Sequence, residues 1–224
     1  TKTLYCKDNF IIANGKEIQI FWDKVSRWDE PGGLNIGTGY RKFSGKRDVK
    51  FFVNHWDVCL SSKSCAKVLA NRGISVHFSI DNDGTIHQFL DTNDIAWHAG
   101  SRKWNDASVG VEITNGYYTK YQNWYEKNGY GKRPVWSGKR VHGGKLGDFL
   151  GFYDVQLEAL KALWQAIHKA HDIPYVSPKT ADTVDPDAVA SRFRGFCSHY
   201  HLKKSKIDCA GLDIEQLLHQ VKNK

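Results

Sequence analysis

Long apolar runs are absent from this 224-residue sequence, and the longest, such as 51–53, contain only a few residues. A helix that crosses a bilayer needs about 20 apolar residues, and a secretory signal needs an apolar segment of its own near the N-terminus. The sequence therefore predicts neither stable membrane insertion nor a standard secretory signal. We expect a soluble monomer, and a processed precursor, a trimmed chain or another route of release all stay open.

Cysteine is also scarce. The five cysteines cannot all pair within one chain, and they are too few for a disulfide scaffold of this length. A hydrophobic core must therefore do most of the folding work, and a hydrophobic content of 41% suffices for one globular domain. Cys59 and Cys65 flank the short segment 60–64, so a disulfide and a reduced pair both fit the sequence. The cysteines are Cys6, Cys59, Cys65, Cys197 and Cys209.

Internal repeats and low-complexity tracts are absent as well, so we interpret residues 1–224 as a single domain. Strand-like and helical segments alternate along it, which predicts an α/β layered fold. Residues 1–48 hold one clear strand, 17–22, and are interpreted as an N-terminal elaboration of a core at 49–224. Further predicted strands are 49–54, 76–80, 85–89 and 108–114, and predicted helices are 62–71, 153–170 and 212–221.

The net charge of +8 favours an anionic partner such as nucleic acid, a membrane surface or a wall that carries phosphate and carboxylate groups. Basic residues are concentrated in 41–50, 132–145 and 203–206, a pattern that an ordinary solvated surface also explains. No nucleic-acid-binding motif accompanies the charge. We therefore expect no nucleic-acid partner.

Metal-ligand chemistry is suggested by the ends of the predicted elements. The predicted strand 49–54 leads into His55, which ends it, and His199 and His201 precede Asp208 and Cys209 closely in a late segment. A catalytic zinc needs three protein ligands and an open position for water, which two imidazoles and one carboxylate can provide. Donor chemistry does not separate His199 from His201, and a Cys209 thiolate would also be a good zinc ligand.

Several motifs occur in a set order. They are Val53-Asn-His-Trp, Gly73-Ile-Ser-Val-His-Phe-Ser-Ile-Asp-Asn-Asp-Gly-Thr-Ile-His-Gln, Ala96-Trp-His-Ala-Gly, Asn105, Ser108-Val-Gly-Val-Glu, and His199 followed by Lys206-Ile-Asp-Cys-Ala-Gly. Together they closely resemble the zinc-dependent N-acetylmuramoyl-L-alanine amidases, the amidase type 2 and peptidoglycan recognition protein family. The resemblance runs from about residue 50 to the C-terminus. It implies a central mixed β-sheet flanked by helices, with an N-terminal extension and long surface insertions.

The resemblance also implies site residues. It gives His55, His199 and Asp208 as zinc ligands, and the family spacing to Lys206 favours His199 over His201. Cys209 stands where the family usually has proline and is the alternative ligand. Lys206 would face the reacting carbonyl, and Glu112 would do the acid/base work, because Val76 replaces a tyrosine that some members use. Predicted substrate contacts are Trp97, His98 and Asn105, while His77 and His87 are expected to be structural.

The function implied is zinc-dependent hydrolysis of the amide bond between N-acetylmuramic acid and L-alanine in bacterial peptidoglycan. A bacteriolytic, antimicrobial phage endolysin is favoured, made in the host cytoplasm or secreted, and acting at the cell wall. The alternatives are a noncatalytic peptidoglycan-recognition module and a bacterial wall-remodelling or recycling amidase.

The segment 115–151 is rich in aromatic and basic residues without steady periodicity. We predict a surface excursion whose aromatic side chains line a substrate groove and whose basic side chains attract the anionic wall. A self-packed loop is the open alternative. The residues concerned are Tyr117, Tyr118, Lys120, Tyr121, Trp124, Tyr125, Lys127, Tyr130, Lys132, Arg133 and Trp136.

Overall fold

A six-stranded mixed β-sheet lies at the centre of the computed structural model, which describes residues 8–224. Helices pack against the sheet, and smaller two-stranded sheets lie outside it. The strands are β1 (Asn9–Ala13), β2 (Lys16–Ile20), β3 (Val25–Arg27), β4 (Tyr40–Arg41), β5 (Phe51–Trp56), β6 (Phe78–Ile80), β7 (Ile86–Gln88), β8 (Ile95–Ala96), β9 (Ser108–Ile113), β10 (Val135–Trp136), β11 (Arg140–Val141), β12 (Gly144–Lys145), β13 (Phe149–Leu150) and β14 (Gly195–Ser198). The α/β prediction with a mixed sheet is confirmed.

The central sheet has the order β14-β5-β9-β6-β7-β3. Only the β6–β7 pair is antiparallel, so β14, β5, β9 and β6 all run in one direction. β5 is buried along its whole length, as expected for a strand with parallel neighbours on both sides. It extends two residues beyond the predicted 49–54 and ends at Trp56, one residue after His55. His55 is the fifth residue of β5.

Six helices are assigned within residues 8–224, and two short 3-10 turns, Thr119–Tyr121 and His199–His201, accompany them. Ser61 caps the first helix by accepting a hydrogen bond from Ser64 N, and Gly73 ends it in the left-handed conformation, with φ of 64°. The three predicted helices are present with boundaries within two residues. The helices are α1 (Ser62–Arg72), α2 (Arg102–Ala107), α3 (Gln122–Lys127), α4 (Asp154–His171), α5 (Pro186–Val189) and α6 (Ile214–Lys222).

The long helix α4 covers the central sheet. Its apolar face repeats at helical spacing, so Leu160, Leu163 and Trp164 are fully buried against the sheet residues of the core. The Trp164 indole also donates to Asn54 Oδ1 in β5 over 3.2 Å. This contact fixes the helix against the strand that carries His55. No helix within residues 8–224 has the length and apolar content needed to cross a membrane.

The N-terminal region contributes to the core. β1 and β2 form a hairpin whose Ile11 and Ile20 join the main hydrophobic cluster, and β3 is the edge strand of the central sheet, parallel to β7. The predicted strand 17–22 is therefore present as β2. The elaboration at 1–48 thus supplies one strand of the sheet, as far as the described residues show.

The segment 115–151 is mostly packed on itself and on the core. Tyr125 is fully buried, and Trp124 stacks on Tyr130 with ring centroids 6.0 Å apart. Arg133 is only 1% exposed and lies over the Tyr125 ring, 4.6 Å from its centroid. The prediction that all seven aromatic side chains line a substrate groove is wrong, and Arg133 is too buried to attract the wall. Of the seven aromatic residues, Tyr117 and Tyr118 alone face the cavity described next.

Candidate active site

The candidate site lies at the carboxyl ends of three parallel strands. His55 in β5 is in register with Glu112 in β9, and β14 ends at Ser198, immediately before His199. Because the carboxyl ends of parallel strands meet at one edge, these side chains come together where open α/β sheets bind their ligands. The cavity there has a volume of about 540 Å³.

Three donor groups converge in this cavity. Asp208 Oδ2 lies 3.0 Å from His55 Nδ1 and 3.4 Å from His199 Nδ1, and the donor atoms all lie within 4.8 Å of one another. All three residues are buried. Two imidazole nitrogens and a carboxylate oxygen, with a cavity on their open side, match the donor set of a catalytic zinc site. The residues therefore suit zinc.

The remote nitrogen of each histidine also has a partner. His55 Nε2 lies 2.9 Å from His98 Nδ1, and His199 Nε2 donates to the Ala99 carbonyl over 3.1 Å. His98 Nε2 in turn lies 3.1 Å from Ser108 Oγ. Histidines that bind metals need such partners, because the partner fixes the ring orientation and leaves the other nitrogen free to bind. These contacts thus leave both Nδ1 atoms facing Asp208.

The charges of the donor group suit a cation. Burial, assisted by the nearby His199, lowers the pKa of His55 to about 4, so its ring is neutral at pH 7. Burial opposes ionisation of Asp208, but hydrogen bonds with His199 and His55 outweigh it and hold the pKa of that carboxyl below its usual range. A neutral imidazole and an ionised carboxylate are the forms that bind a metal ion.

Glu112 lines the same cavity with an unsatisfied carboxylate. Its Oε2 atom is buried and has no hydrogen-bond partner among the described residues. Burial first, and then the negative charges of Asp57 and Asp208, raise the pKa of Glu112 well above its usual value, while Lys206 opposes the rise. A buried carboxyl group with a raised pKa beside a cavity is typical of a proton-transfer group.

The predicted substrate contacts lie around this cavity. Trp97 is 44% exposed, and it lines the cavity together with His98, Asn105 and Lys206. Asn105 has a structural contact as well, since its Oδ1 accepts hydrogen bonds from His98 N and Ala99 N over 3.2 and 2.8 Å. Asn105 therefore holds the backbone of His98 and Ala99 in place. These are the residues whose imidazole and carbonyl contact the donor histidines His55 and His199. The contacts of these residues with substrate stay a prediction.

The rival ligands lie elsewhere. Residues 199–201 form a 3-10 turn, in which His199 and His201 have different hydrogen-bond partners. His201 Nδ1 accepts a hydrogen bond from Ser198 N over 3.0 Å, and its Nε2 donates to the Thr180 carbonyl over 3.0 Å. Cys209 is fully buried and is not part of the donor group that Asp208 joins.

Other residues singled out in the sequence have structural surroundings. His77 accepts a hydrogen bond from Gly110 N and lies 2.7 Å from the Asp94 carbonyl through its Nε2. His87 lies 3.5 Å from Asp81 across the hairpin of β6 and β7. Val76 is fully buried and is not among the residues that line the cavity.

Sequence reasoning missed part of the cavity wall. Asp57, Cys59 and Cys65 form a second group of close donor atoms that borders the cavity. Both cysteines are free thiols in this structure, whereas Cys6 lies outside the described residues. The signal was available in part, because Asp57 follows His55 by two residues and Cys59 and Cys65 flank a short segment.

Comparisons with known proteins agree with this geometry. A family model described as N-acetylmuramoyl-L-alanine amidase matches residues 45–208. Among solved structures, the fold is similar to that of the N-acetylmuramyl-L-alanine amidase AmiD from E. coli in complex with anhydro-N-acetylmuramic acid-L-Ala-D-gamma-Glu-L-Lys. The identity is 19% and the TM-score 0.52, over 82% of this chain and 66% of that chain.

A second similar structure is the N-acetylmuramoyl-L-alanine amidase LysC from Clostridium intestinale. The identity is 13% and the TM-score 0.52, over 89% of this chain and 97% of that chain. At these identities the two structures support the fold. No curated protein matches the chain.

Proposed function

Because the chain belongs to the N-acetylmuramoyl-L-alanine amidase family, and is thus a peptidoglycan amidase, we propose that it cleaves the bond between N-acetylmuramic acid and L-alanine with the help of zinc. One observation carries this proposal. His55, His199 and Asp208 present three donor atoms within 4.8 Å of one another, in a cavity that Glu112 also lines.

Zinc would be held by His55 Nδ1, His199 Nδ1 and Asp208. Bound there, it would supply Lewis acidity, which polarises the scissile carbonyl and makes water easier to deprotonate. The protein itself supplies the orientation. His98 and the Ala99 carbonyl hold the two imidazole rings from behind, so little reorganisation is needed when the ion binds.

Glu112 is the proposed general base and general acid. It would accept a proton from the attacking water and deliver it to the departing amine of L-alanine. Its surroundings support this role, because Oε2 makes no hydrogen bond that would have to break first. A raised pKa also suits a group that must hold the proton briefly and then release it.

Lys206 is the proposed electrostatic partner of the reacting carbonyl. It lines the cavity beside Asp208, and its positive charge is close enough to act on both His55 and Glu112. A fixed cation near a developing oxyanion stabilises the transition state more than the ground state. Trp97 and Tyr118, both substantially exposed at the cavity, offer aromatic faces for the sugar and peptide stem.

The biological role that we propose is cell lysis, as in a phage endolysin acting at the wall. The net charge of +8 supports this role, because it favours association with an anionic polymer. A recycling amidase, by contrast, works on soluble wall fragments, and a recognition module binds without cleavage. The lytic and the recycling enzyme thus differ in the substrate that they cleave, and the recognition module cleaves none.

The test uses purified sacculi and soluble muropeptides, each with and without a chelator. We expect release of free L-alanine amino termini from intact sacculi, loss of that activity with the chelator, and recovery with added zinc. Cleavage confined to soluble muropeptides would contradict the lytic role but would still support the amidase activity. Binding to sacculi without any new amino termini would indicate the recognition module.

A further inference from the structure

A second group of donor atoms lies on the wall of the cavity, apart from His55, His199 and Asp208. A carboxylate oxygen of Asp57 and the sulfur atoms of Cys59 and Cys65 all lie within 4.8 Å of one another. Asp57 follows β5, and Cys65 is in the first turn of α1. The loop between strand and helix therefore brings two free thiols and a carboxylate to one place.

The carboxylate of Asp57 is held in position but only half satisfied. Its Oδ1 accepts hydrogen bonds from Cys59 N over 2.9 Å and from Asn115 N over 3.0 Å. Its Oδ2 is buried and has no hydrogen-bond partner among the described residues. Buried polar atoms in folded proteins nearly always have a partner, so an oriented carboxylate oxygen without one points to a missing ligand.

The chemistry of the three donor atoms narrows the choice of metal ion. Two sulfur donors select zinc and other borderline or soft cations, whereas calcium and magnesium take oxygen ligands. Two thiolates and a carboxylate are three of the four ligands of a tetrahedral zinc site, and the cavity leaves room for water as the fourth.

We propose that Asp57, Cys59 and Cys65 bind a second divalent cation of the zinc type. The ion satisfies Asp57 Oδ2 and links the end of β5 to the start of α1. Because the loop 57–65 forms one wall of the cavity, the ion keeps that wall in place. The site is separate from the proposed catalytic zinc, so either one can be present without the other.

The two sites are distinguished by cobalt substitution in the full-length protein. Co²⁺ bound by thiolates shows sulfur-to-metal charge-transfer absorption in the near ultraviolet, which the nitrogen and oxygen donors of His55, His199 and Asp208 do not give. We expect two Co²⁺ ions per chain and this absorption band. Cys59→Ser and Cys65→Ser should each abolish the band and release one ion, and Cys197→Ser is the matched control that keeps both.

The converse variant, His55→Ala, should lose one ion and keep the band. The proposal is overturned if the unaltered protein binds only one Co²⁺ without the band, a result that does not depend on how the variants fold. It is also overturned if the band survives in both serine variants and disappears in Cys209→Ser. The proposal is overturned as well if the unfolded, unreduced chain has three free thiols instead of five and labelling finds none at Cys59 or Cys65, because these two would then be joined as a disulfide.

Discussion

His55 Nε2 lies 2.9 Å from His98 Nδ1, and this contact decides which nitrogen of His55 faces the donor group. For His55 Nδ1 to bind an ion, Nε2 must carry the proton and donate it to His98 Nδ1. His98 must then carry its own proton on Nε2, where Ser108 Oγ lies 3.1 Å away as the acceptor. With an ion bound to Nδ1, a chain of two hydrogen bonds from β9 would thus set the tautomer of a ligand in β5.

Replacing His98 should therefore weaken metal binding without removing a ligand. We expect His98→Ala to lower zinc affinity on the order of 10- to 100-fold, the usual effect of losing a partner behind a histidine ligand. A competition titration with a chromophoric chelator measures the change. His219→Ala, which alters an exposed histidine on α6, is the control. Unchanged affinity in a folded His98→Ala protein would mean that the contact does not orient His55.

The choice between His199 and His201 can be tested by a pair of variants. His199→Ala should lose both zinc and activity, because it removes one of three ligands. His201→Asn should keep both, since His201 is outside the donor group and the amide oxygen can still accept from Ser198 N. Metal analysis of the two proteins checks this. The assignment would be reversed if the asparagine variant alone lost its zinc.

Glu112 should matter for the rate and not for zinc binding. Glu112→Gln keeps the shape of the side chain but cannot accept the proton, so we expect a loss on the order of a hundredfold or more in rate with zinc retained. Folding should be undisturbed, because the change removes a buried carboxyl group whose Oε2 has no partner. Hydrolysis of sacculi at the parental rate would show that another group is the base.

The main elements and the donor residues were predictable from the sequence because local signals were strong. Gly73 ends α1, and the apolar spacing of α4 marks its buried face. The positions of His55 and His199 were fixed by ordered motifs. The proximity of Cys59 and Cys65 was expected, but the second group was missed because it depends on a loop that brings Asp57 to both of them, and loop geometry is not encoded by periodicity.

The segment 115–151 was misjudged for a related physical reason. Aromatic and basic residues there were taken for a binding surface, since composition does not distinguish an exposed aromatic ring from one that anchors a loop. In the structure Tyr125 and Tyr153 both pack against the guanidinium of Arg133, with ring centroids 4.6 and 4.4 Å from its central carbon. Arg133, which we predicted to attract the anionic wall, is thus part of the buried interior.

Arg133 should accordingly contribute to stability. Its guanidinium donates to Gly151 O, Asn82 Oδ1 and Gln156 Oε1 at 2.7–2.9 Å, and Arg133→Ala leaves these buried acceptors without it. We expect a loss of about 3 kcal/mol or more in the free energy of unfolding, measured by urea denaturation. Lys132→Ala, at the exposed neighbouring residue, is the control. It should change the free energy of unfolding by less than about 0.5 kcal/mol. A stable Arg133→Ala protein with weakened sacculus binding would restore the groove hypothesis.

Acid should destabilise the protein through histidines that are buried in the neutral form. Burial, the largest cause in each case, lowers the pKa from 6.5 to about 3 for His77 and to about 4 for His171 and His201. The unfolded chain therefore binds more protons than the folded one between these values and pH 6.5. The contribution of these histidines to stability is fully present above about pH 6.5 and declines as the pH falls towards 4, by up to about 1.4 kcal/mol per pH unit for each of them.

Urea denaturation of the chelator-treated protein at several pH values between 7 and 5 measures this slope. His201→Asn removes one titrating group while keeping the hydrogen bond from Ser198 N. The slope of the free energy of unfolding against pH should therefore become shallower by the contribution of one proton, up to about 1.4 kcal/mol per pH unit. His219→Ala, on the exposed side of α6, should leave the slope unchanged. Equal slopes for the parental protein and His201→Asn would mean that His201 accepts its proton in the folded state as readily as in the unfolded chain.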